Sequence, residues 1–169
     1  MILVEIVVIA HNIRSIYNVG SIFRTCEGFG VKKIYLSGYT PSPDHGLPHV
    51  RVKTAEQLHK TALGAEKLVD FEYITDLTEL ISSLGNKNYR IVGLEQDPRA
   101  IMLPNYYCKL DCKLGACNKV ALILGEEVHG ISQDIRNLCD DLIEIPMVGQ
   151  KESFNVSVAT GIALYALTY

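Results

Sequence analysis

The sequence lacks the features of a membrane-anchored or disulfide-bonded protein. No apolar run reaches the length of a membrane span. The apolar first ten residues contain Glu5 and are led by no basic residues, so they predict a buried strand and not a signal peptide. The five cysteines are an odd number with irregular spacing. We therefore expect a cytoplasmic protein with reduced thiols.

The usual motifs of nucleotide-binding and hydrolytic enzymes are also missing. There is no G-x-x-x-x-G-K-[ST], which excludes a P-loop nucleotidase, and no G-x-G-x-x-G after the first strand. A G-x-S-x-G elbow, which would present an acyl-transfer nucleophile, is absent as well. An α/β nucleotide-binding hydrolase is therefore an alternative that lacks its phosphate loop and its nucleophile.

Potential metal ligands do not form a known pattern. Cys108, Cys112 and Cys117 have spacings of four and five, unlike the paired C-x-x-C of zinc knuckles. His45 and His49 are four apart, but the prolines around them oppose a helix. We expect no metal site.

The bulk composition fits one folded domain. The chain has 169 residues, 48% of them hydrophobic and 21% charged, which is ordinary for a globular protein. This length can bury a proper core, and no linker or repeat divides it. We expect a single domain over residues 1–169.

Charge is unevenly distributed along the chain. The net charge is −3, but residues 1–60 hold seven Lys/Arg against four Asp/Glu, a balance of +3. Residues 61–169 therefore hold nine against fifteen, a balance of −6. Because screening limits the reach of distant charges, a local basic surface can bind phosphates on an acidic protein. The basic half is either an RNA face or a chance distribution.

Short β-branched runs alternate with helical stretches, which predicts a mostly parallel sheet with helices on both faces. The predicted strands are Val4–Ala10, Lys33–Leu36, Lys67–Ile74, Arg90–Glu95, Val120–Leu124 and Leu142–Ile145. The predicted helices are Val19–Gly28, Ala55–Thr61, Leu77–Leu84, Gln133–Leu138 and Val156–Leu167. The long connection from Ser37 to His49 carries three prolines and is either functional or mobile.

The last helix, Val156–Leu167, contains no charged residue. A helix that is apolar all round must be buried on several sides. We expect it to contact both the core and a second subunit; the alternative is a helix buried wholly within one chain.

Three segments could carry chemistry, and each also has an ordinary structural interpretation. The first, Asn18 to Arg24, opens a helix after a strand, so Asn18 can cap the helix and its free N–H groups can hold an anion. Arg24 lies on the second turn and could face a phosphate. From spacing alone, however, a solvated surface arginine is the simpler interpretation.

The second segment, Gly125 to Ser132, follows a buried strand and contains two glycines and two acids. Glycines allow close approach of a ligand, and open α/β sheets bind ligands at the carboxyl ends of their strands. The third segment, Ile145 to Ala159, passes from a strand through a turn to the last helix, which Ser153 or Asn155 caps. A connecting loop and a capped helix are the alternatives.

Together the three segments resemble the three motifs of the SpoU branch of the SPOUT RNA methyltransferases. The matched residues are Asn18, Gly20 and Arg24 for N-x-G-x-x-x-R; Leu124, Gly125, Glu127, Gly130 and Ile131 for L-G-x-E-x-x-G-[LI]; and Ile145 to Ala159 for I-P-M-x-G-x-x-x-S-[LF]-N-V-[SA]-V-A. Their order and spacing agree over about 140 residues. Phe154 replaces the commoner leucine, and Glu126 precedes the motif acid, although spacing favours Glu127.

The resemblance implies an α/β fold with a carboxy-terminal trefoil knot and a homodimer with a shared active site. It implies S-adenosylmethionine as methyl donor and no metal, with the adenosyl group held by backbone around the following residues: Leu94, Gly125, Gly130, Ile145, Met147 and Phe154. The implied reaction is methylation of a ribose 2′-hydroxyl of RNA.

The resemblance also implies roles for five side chains. Arg24 is the family's proposed base, acting across the dimer, but arginine holds its proton in proteins, so it could instead stabilise the developing alkoxide and grip a phosphate. Asn18, Ser153 and Asn155 would position Arg24 and the ribose, and Glu127 would orient these groups.

For the substrate, the resemblance favours transfer RNA over ribosomal RNA. The chain carries no recognisable RNA-binding extension at either end, and the small stand-alone members of the family more often modify transfer RNA. The alternatives are ribosomal RNA and, less favoured, a non-catalytic RNA-binding module on the same scaffold.

Overall fold

The computed structural model describes residues 4–44, 46–106 and 118–169. Seven strands form one sheet in the order β3-β2-β1-β6-β4-β7-β5, and all the strand pairs are parallel. The strands are β1 Glu5–His11, β2 Lys33–Ser37, β3 Phe71–Ile74, β4 Arg90–Leu94, β5 Ile101–Met102, β6 Lys119–Leu124 and β7 Asp141–Glu144.

Helices cover both faces of the sheet. They are α1 Ile16–Gly28, α2 Pro48–Ala62, α3 Leu77–Asn86, α4 Gln133–Arg136 and α5 Val156–Thr168. A short 3-10 turn spans Ala65–Lys67. Among the described residues, no helix is both long and apolar enough to cross a bilayer.

The alternation of side chains along the central strands divides the core in two. On β1, Ile6, Val8 and Ala10 contact the layer of α1, α2 and α5, whereas Val7 and Ile9 contact the layer of α3 and α4. All five inner residues of β1 are buried, as in a parallel strand covered on both faces. The predicted fold class, a mostly parallel α/β sheet, is confirmed.

Close packing of α1 on α2 explains the glycine of the first motif. A Cβ atom at Gly20 would lie 2.1 Å from Thr61 Oγ1 and 2.5 Å from the Leu58 carbonyl oxygen. The Thr61 hydroxyl also donates to the Tyr17 carbonyl at 3.0 Å. Gly20 therefore has a packing role that holds the first turn of α1 against α2.

Two element predictions were wrong in extent. The helix predicted from Ala55 begins at Pro48, a residue that the first turn of a helix tolerates. The first half of this helix is exposed, so its sequence shows no repeating apolar positions that would have predicted it. The strand predicted over Lys67–Ile74 begins at Phe71, because a 3-10 turn over Ala65–Lys67 precedes it. Ala65 in the turn and Val69 after it are buried without belonging to a strand. The two-residue strand β5 was not predicted.

Cap predictions at the two motif helices had different outcomes. Asn18 does not cap α1, since the helix starts two residues before it and the Ser15 hydroxyl accepts from the Asn18 N–H at 3.4 Å. Asn155, one of the two predicted caps of α5, does cap it and accepts from the Ser157 N–H at 2.9 Å. Asn18 is thereby free to bond elsewhere.

Candidate active site

A cavity of about 450 Å³ opens at the carboxyl ends of β4, β6 and β7. This edge of an open parallel sheet is where α/β proteins bind ligands. All six residues predicted for the adenosyl group line the cavity: Leu94, Gly125, Gly130, Ile145, Met147 and Phe154. The structure therefore brings the second and third motif segments together around one space.

The loop after β6 is closed by two backbone hydrogen bonds between Glu126 and Gly130, and it contains a second glycine, Gly125. The Glu126 N–H donates to the Gly130 carbonyl at 3.1 Å, and the Gly130 N–H donates back to the Glu126 carbonyl at 2.9 Å. A Cβ at Gly125 would lie 2.4 Å from the Gly130 carbonyl carbon, and Gly130 has a φ of 66°. A side chain at Gly125 would force the backbone to move, and one at Gly130 would be strained at this φ and would displace the Glu95 carboxylate.

Glu95 is a site residue that the sequence analysis missed. Its carboxylate accepts from the Ile131 N–H, and a Cβ at Gly130 would lie 2.0 Å from Glu95 Oε2. The next residue, Gln96, donates through its side-chain amide to the Glu152 carbonyl. Glu95 and Gln96 thus tie the end of β4 to both of the other loops around the cavity. The only signal in the sequence was their place directly after a buried strand.

A hydrogen-bonded cluster joins all three motif segments at the mouth of the cavity. Glu127 accepts from the Arg14 N–H at 2.9 Å, from the Ser15 N–H at 3.1 Å and from the Asn18 side-chain amide at 3.0 Å. Asn155 donates through its side-chain amide to Asn18 Oδ1 at 3.1 Å. Glu127, the acid that the motif spacing favours over Glu126, is therefore the one bonded to the first segment.

These donors keep Glu127 ionised. Partial burial acts to raise the pKa of the Glu127 carboxyl, but the hydrogen bonds from Arg14, Ser15 and Asn18 outweigh it and lower the pKa. A carboxylate held in its charged form is a strong acceptor and orients Asn18. Asn18 in turn presents its carbonyl to Asn155.

The cavity has a strongly negative lining. Among the described residues, five glutamates line the cavity, and no lysine or arginine does. His129 is the other titratable residue in the lining. The glutamates are Glu95, Glu126, Glu127, Glu144 and Glu152. Such a lining repels phosphate groups and favours a cation. The arrangement argues against the nucleotide-binding hydrolase considered above.

Arg24 is the one predicted catalytic residue that the structure brings neither to the cavity nor to the cluster around Glu127. It lies six positions after Asn18, about 9 Å further along the helix axis and on another face. There it is exposed, and it lines a shallow groove between α1 and α5 with Gly161, Ile162 and Tyr165. Ser153 lines the cavity itself. Within one chain, Arg24 and the cluster around Glu127 are separate.

No group of three His, Cys, Asp or Glu side chains among the described residues could hold a metal ion. The three cysteines of irregular spacing, Cys108, Cys112 and Cys117, lie outside the described residues, as does His45.

The fold and the cavity define a class: an α/β protein with a cavity at the carboxyl edge of its parallel sheet, lined by the segments that follow β4, β6 and β7. The chain belongs to the SpoU rRNA methylase family, whose model matches residues 5–165. The family predicted from the three motifs is confirmed.

Individual relatives act on different RNAs. The chain is 29% identical over 161 residues to the tRNA (guanosine(18)-2′-O)-methyltransferase of Aquifex aeolicus, covering 95% of this chain and 67% of the relative. It is 32% identical over 149 residues to the 23S rRNA (guanosine-2′-O-)-methyltransferase RlmB of Pectobacterium atrosepticum, covering 88% of this chain and 53% of that one. Both a transfer RNA and a ribosomal RNA enzyme are thus among its relatives.

Solved structures share the fold. The Aquifex aeolicus TrmH/SpoU tRNA modifying enzyme superposes with a TM-score of 0.76 at 26% identity, covering 97% of this chain and 74% of that one. The AdoMet-bound rRNA methyltransferase of Sinorhizobium meliloti has a TM-score of 0.80 at 21% identity, covering 96% of this chain and 55% of that one. This chain is therefore shorter than these relatives.

Proposed function

We propose that this protein transfers a methyl group from S-adenosylmethionine to a ribose 2′-hydroxyl of RNA, with transfer RNA favoured over ribosomal RNA. The observation that carries the proposal is the bonded cluster of Glu127, Asn18 and Asn155 at the mouth of a cavity lined by every residue expected to hold the adenosyl group. Membership of the family and the names of the relatives support it.

The cavity suits the cofactor. S-adenosylmethionine supplies an electrophilic methyl group on a positively charged sulfonium. Leu94, Ile145, Met147 and Phe154 give apolar surface for an adenine, and the acidic lining favours the sulfonium over a phosphate-bearing nucleotide. Because Gly125 and Gly130 carry no side chains, the loop closes tightly and its backbone lies beside the cavity.

In this proposal the cluster positions the ribose. Glu127 holds Asn18, Asn18 holds Asn155, and with Ser153 they orient the hydroxyl toward the cavity. The hydroxyl must lose its proton as it attacks, and Arg24 either takes part in that transfer or stabilises the developing negative charge.

We further propose a homodimer in which the partner subunit's Arg24 completes the site. Support comes from α5, whose side away from the core carries Val158 and Tyr165 exposed to 50% and 62%. A helix with no charge and such exposed residues is not buried wholly within one chain. Arg24 borders this same face.

The carboxy-terminal knot is also part of the proposal. Strand β7 lies between β4 and β5, two strands that follow each other in the chain. The segment after β7 touches the β4–β5 connection where Gln96 bonds Glu152, before it returns to α1 through Asn155. This path supports threading of the segment through a loop. A single domain over residues 1–169, acting in the cytoplasm, completes the proposal.

Two measurements test the proposed function. Calorimetry with S-adenosylmethionine should show binding, and the purified protein should transfer a labelled methyl group to unmodified transfer RNA, with the label recovered as 2′-O-methylated nucleoside. Transfer only to 23S ribosomal RNA would favour the second candidate, which the 32% identical relative supports. Cofactor binding without transfer to either RNA would favour a non-catalytic module.

A further inference from the structure

Next to the acidic cavity lies a segment with more basic than acidic side chains, residues 39–44 and 46–53, which we call the basic arm; it holds Arg51 and Lys53 against Asp44, and its Tyr39 contacts Glu126. Its base is fixed to the connection between β1 and α1. The Tyr39 N–H donates to Asn12 Oδ1 at 3.2 Å, and the buried Thr40 hydroxyl donates to the Ala10 carbonyl at 2.9 Å and accepts from the Ile13 N–H at 3.0 Å. The arm therefore starts beside the residues whose backbone bonds Glu127.

The base of the arm presents an aromatic ring at the rim of the site. The Tyr39 side chain is 51% exposed. Desolvation and the neighbouring Glu126 carboxylate raise the pKa of Tyr39, so its hydroxyl stays protonated. A half-exposed tyrosine beside a nucleotide pocket can stack on an unpaired base.

The tip of the arm is exposed and basic. Residues 46–53 are all exposed, including the first two turns of α2, and the first buried residue of that helix is Leu58. The tip contains Arg51 and Lys53 but neither aspartate nor glutamate. No carboxylate among the described residues lies within ion-pair distance of these two cations.

We propose that the basic arm binds the RNA strand next to the target nucleotide, with Arg51 and Lys53 on phosphates and Tyr39 stacked on a base. This inference rests on the proposed function. It follows from charge: the glutamates of the cavity repel the phosphates that flank a bound ribose, so those phosphates need cations outside it. The uncharged α5, and not the arm, suits a second protein chain.

The test compares two double charge reversals that change the net charge equally. Arg51→Glu/Lys53→Glu alters the arm. The control, Lys67→Glu/Lys87→Glu, alters exposed lysines that precede β3 and β4, at the opposite edge of the sheet from the cavity. The probe is a mixture of unmodified transfer RNA transcripts, and binding is measured by fluorescence anisotropy at several salt concentrations.

We expect the arm variant to bind the transcripts about tenfold or more weakly. The slope of the logarithm of the binding constant against the logarithm of the salt concentration should become shallower by about 1.4, because two single-strand phosphate contacts are lost and each contributes about 0.7. The control should match the wild type, and both should bind S-adenosylmethionine normally. Tyr39→Ala should raise the KM for RNA, whereas Tyr39→Phe should not.

Equal loss in both double variants, or loss in neither, would overturn the proposal. A monomeric mass for the arm variant alone would also overturn it, because the arm would then contact a second copy of the chain. Failure of the proposed function would look different: the wild type would bind no S-adenosylmethionine, whatever the arm does to RNA binding.

Discussion

Helix α1 presents two of the predicted site residues in contrasting surroundings. Asn18, in its first turn, is bonded to Glu127 and Asn155, and thereby to segments more than a hundred positions away in the chain. Arg24, less than two turns later, is exposed at the edge of a groove. Folding of one chain is sufficient to place Asn18, but it leaves Arg24 on the surface.

This contrast separates binding from chemistry. The residues proposed for the cofactor, from Leu94 to Phe154, line one cavity within a single chain, so we expect S-adenosylmethionine to bind without a partner's side chains. The half that contains Arg24 would be completed only when α1 and α5 of two subunits meet. Each of the following predictions tests one side of this division.

The largest effect is expected from Arg24→Ala. Methyl transfer should fall about 100-fold or more, as when one charge-stabilising donor is removed from an active site. The dissociation constant for S-adenosylmethionine should stay within about twofold, because Arg24 does not line the cavity. Single-turnover kinetics and calorimetry measure the two quantities. Near-normal turnover would remove Arg24 from the mechanism.

Gly130→Ala should affect the other half. A methyl group there would lie 2.0 Å from Glu95 Oε2 at a φ of 66°, so the backbone is strained and the Glu95 carboxylate that bonds the Ile131 N–H must shift. We expect about tenfold weaker cofactor binding, on the order of 1.4 kcal/mol. Gly85→Ala is the control, since its Cβ meets nothing within 4 Å. Unchanged affinity in Gly130→Ala would show that the loop does not form the cofactor site.

Mixing Arg24→Ala with Gly130→Ala at a limiting S-adenosylmethionine concentration, where both variants are impaired, tests whether the site is shared. Random exchange makes about half of the dimers hybrids, each with one intact site of two, so activity should return to about a quarter of wild type. Each variant taken alone through the same dissociation and mixing should keep its own lower activity. A mixture no more active than the mean of the two variants, or a monomeric mass of the wild type in light scattering, would contradict the shared site.

The smallest effect is expected from Glu127→Gln, which weakens the cluster within one chain. Because the folded-state pKa of Glu127 is lowered, its contribution to stability is present above the unfolded value of 4.5 and disappears as the pH falls through the folded value. The variant should be about 1 kcal/mol less stable than wild type at pH 7, with the difference shrinking below about pH 4.

Urea unfolding at several pH values measures this difference, and Glu126→Gln removes the same charge from the same loop as a control. Glu126→Gln should cost less at pH 7, because the donors from Arg14, Ser15 and Asn18 bond Glu127. Equal stability of the two variants would mean that the charge of Glu127 does not hold the cluster.

Much of the site was predictable because its residues follow buried strands. The apolar runs of β4, β6 and β7 place Leu94, Gly125 and Ile145 at one edge, and the motif spacing identifies Glu127 over Glu126. Glu95 and Gln96 were missed because one acid and one amide after a strand have no distinctive spacing. Their importance lies in the loops that they join.

The exposed half of α2 was missed for a related reason. Periodicity detects a helix by its buried stripe, and residues 48–54 bury little. Asn18 was taken for a helix cap, as its residue type suggests, whereas Ser15 has that role and Asn18 bonds across the site. Local propensity could not weigh partners that are far apart in sequence.

The sequence by itself determined the alternation of strands and helices, the family and many of the residues that line the cavity, because periodicity and motif spacing are local properties. Only the tertiary structure decided which residues meet: Glu127 with Asn18 and Asn155, Glu95 with Ile131, and Arg24 with none of them. The physical reason is that these contacts depend on strand order in the sheet, where β7 lies between β4 and β5.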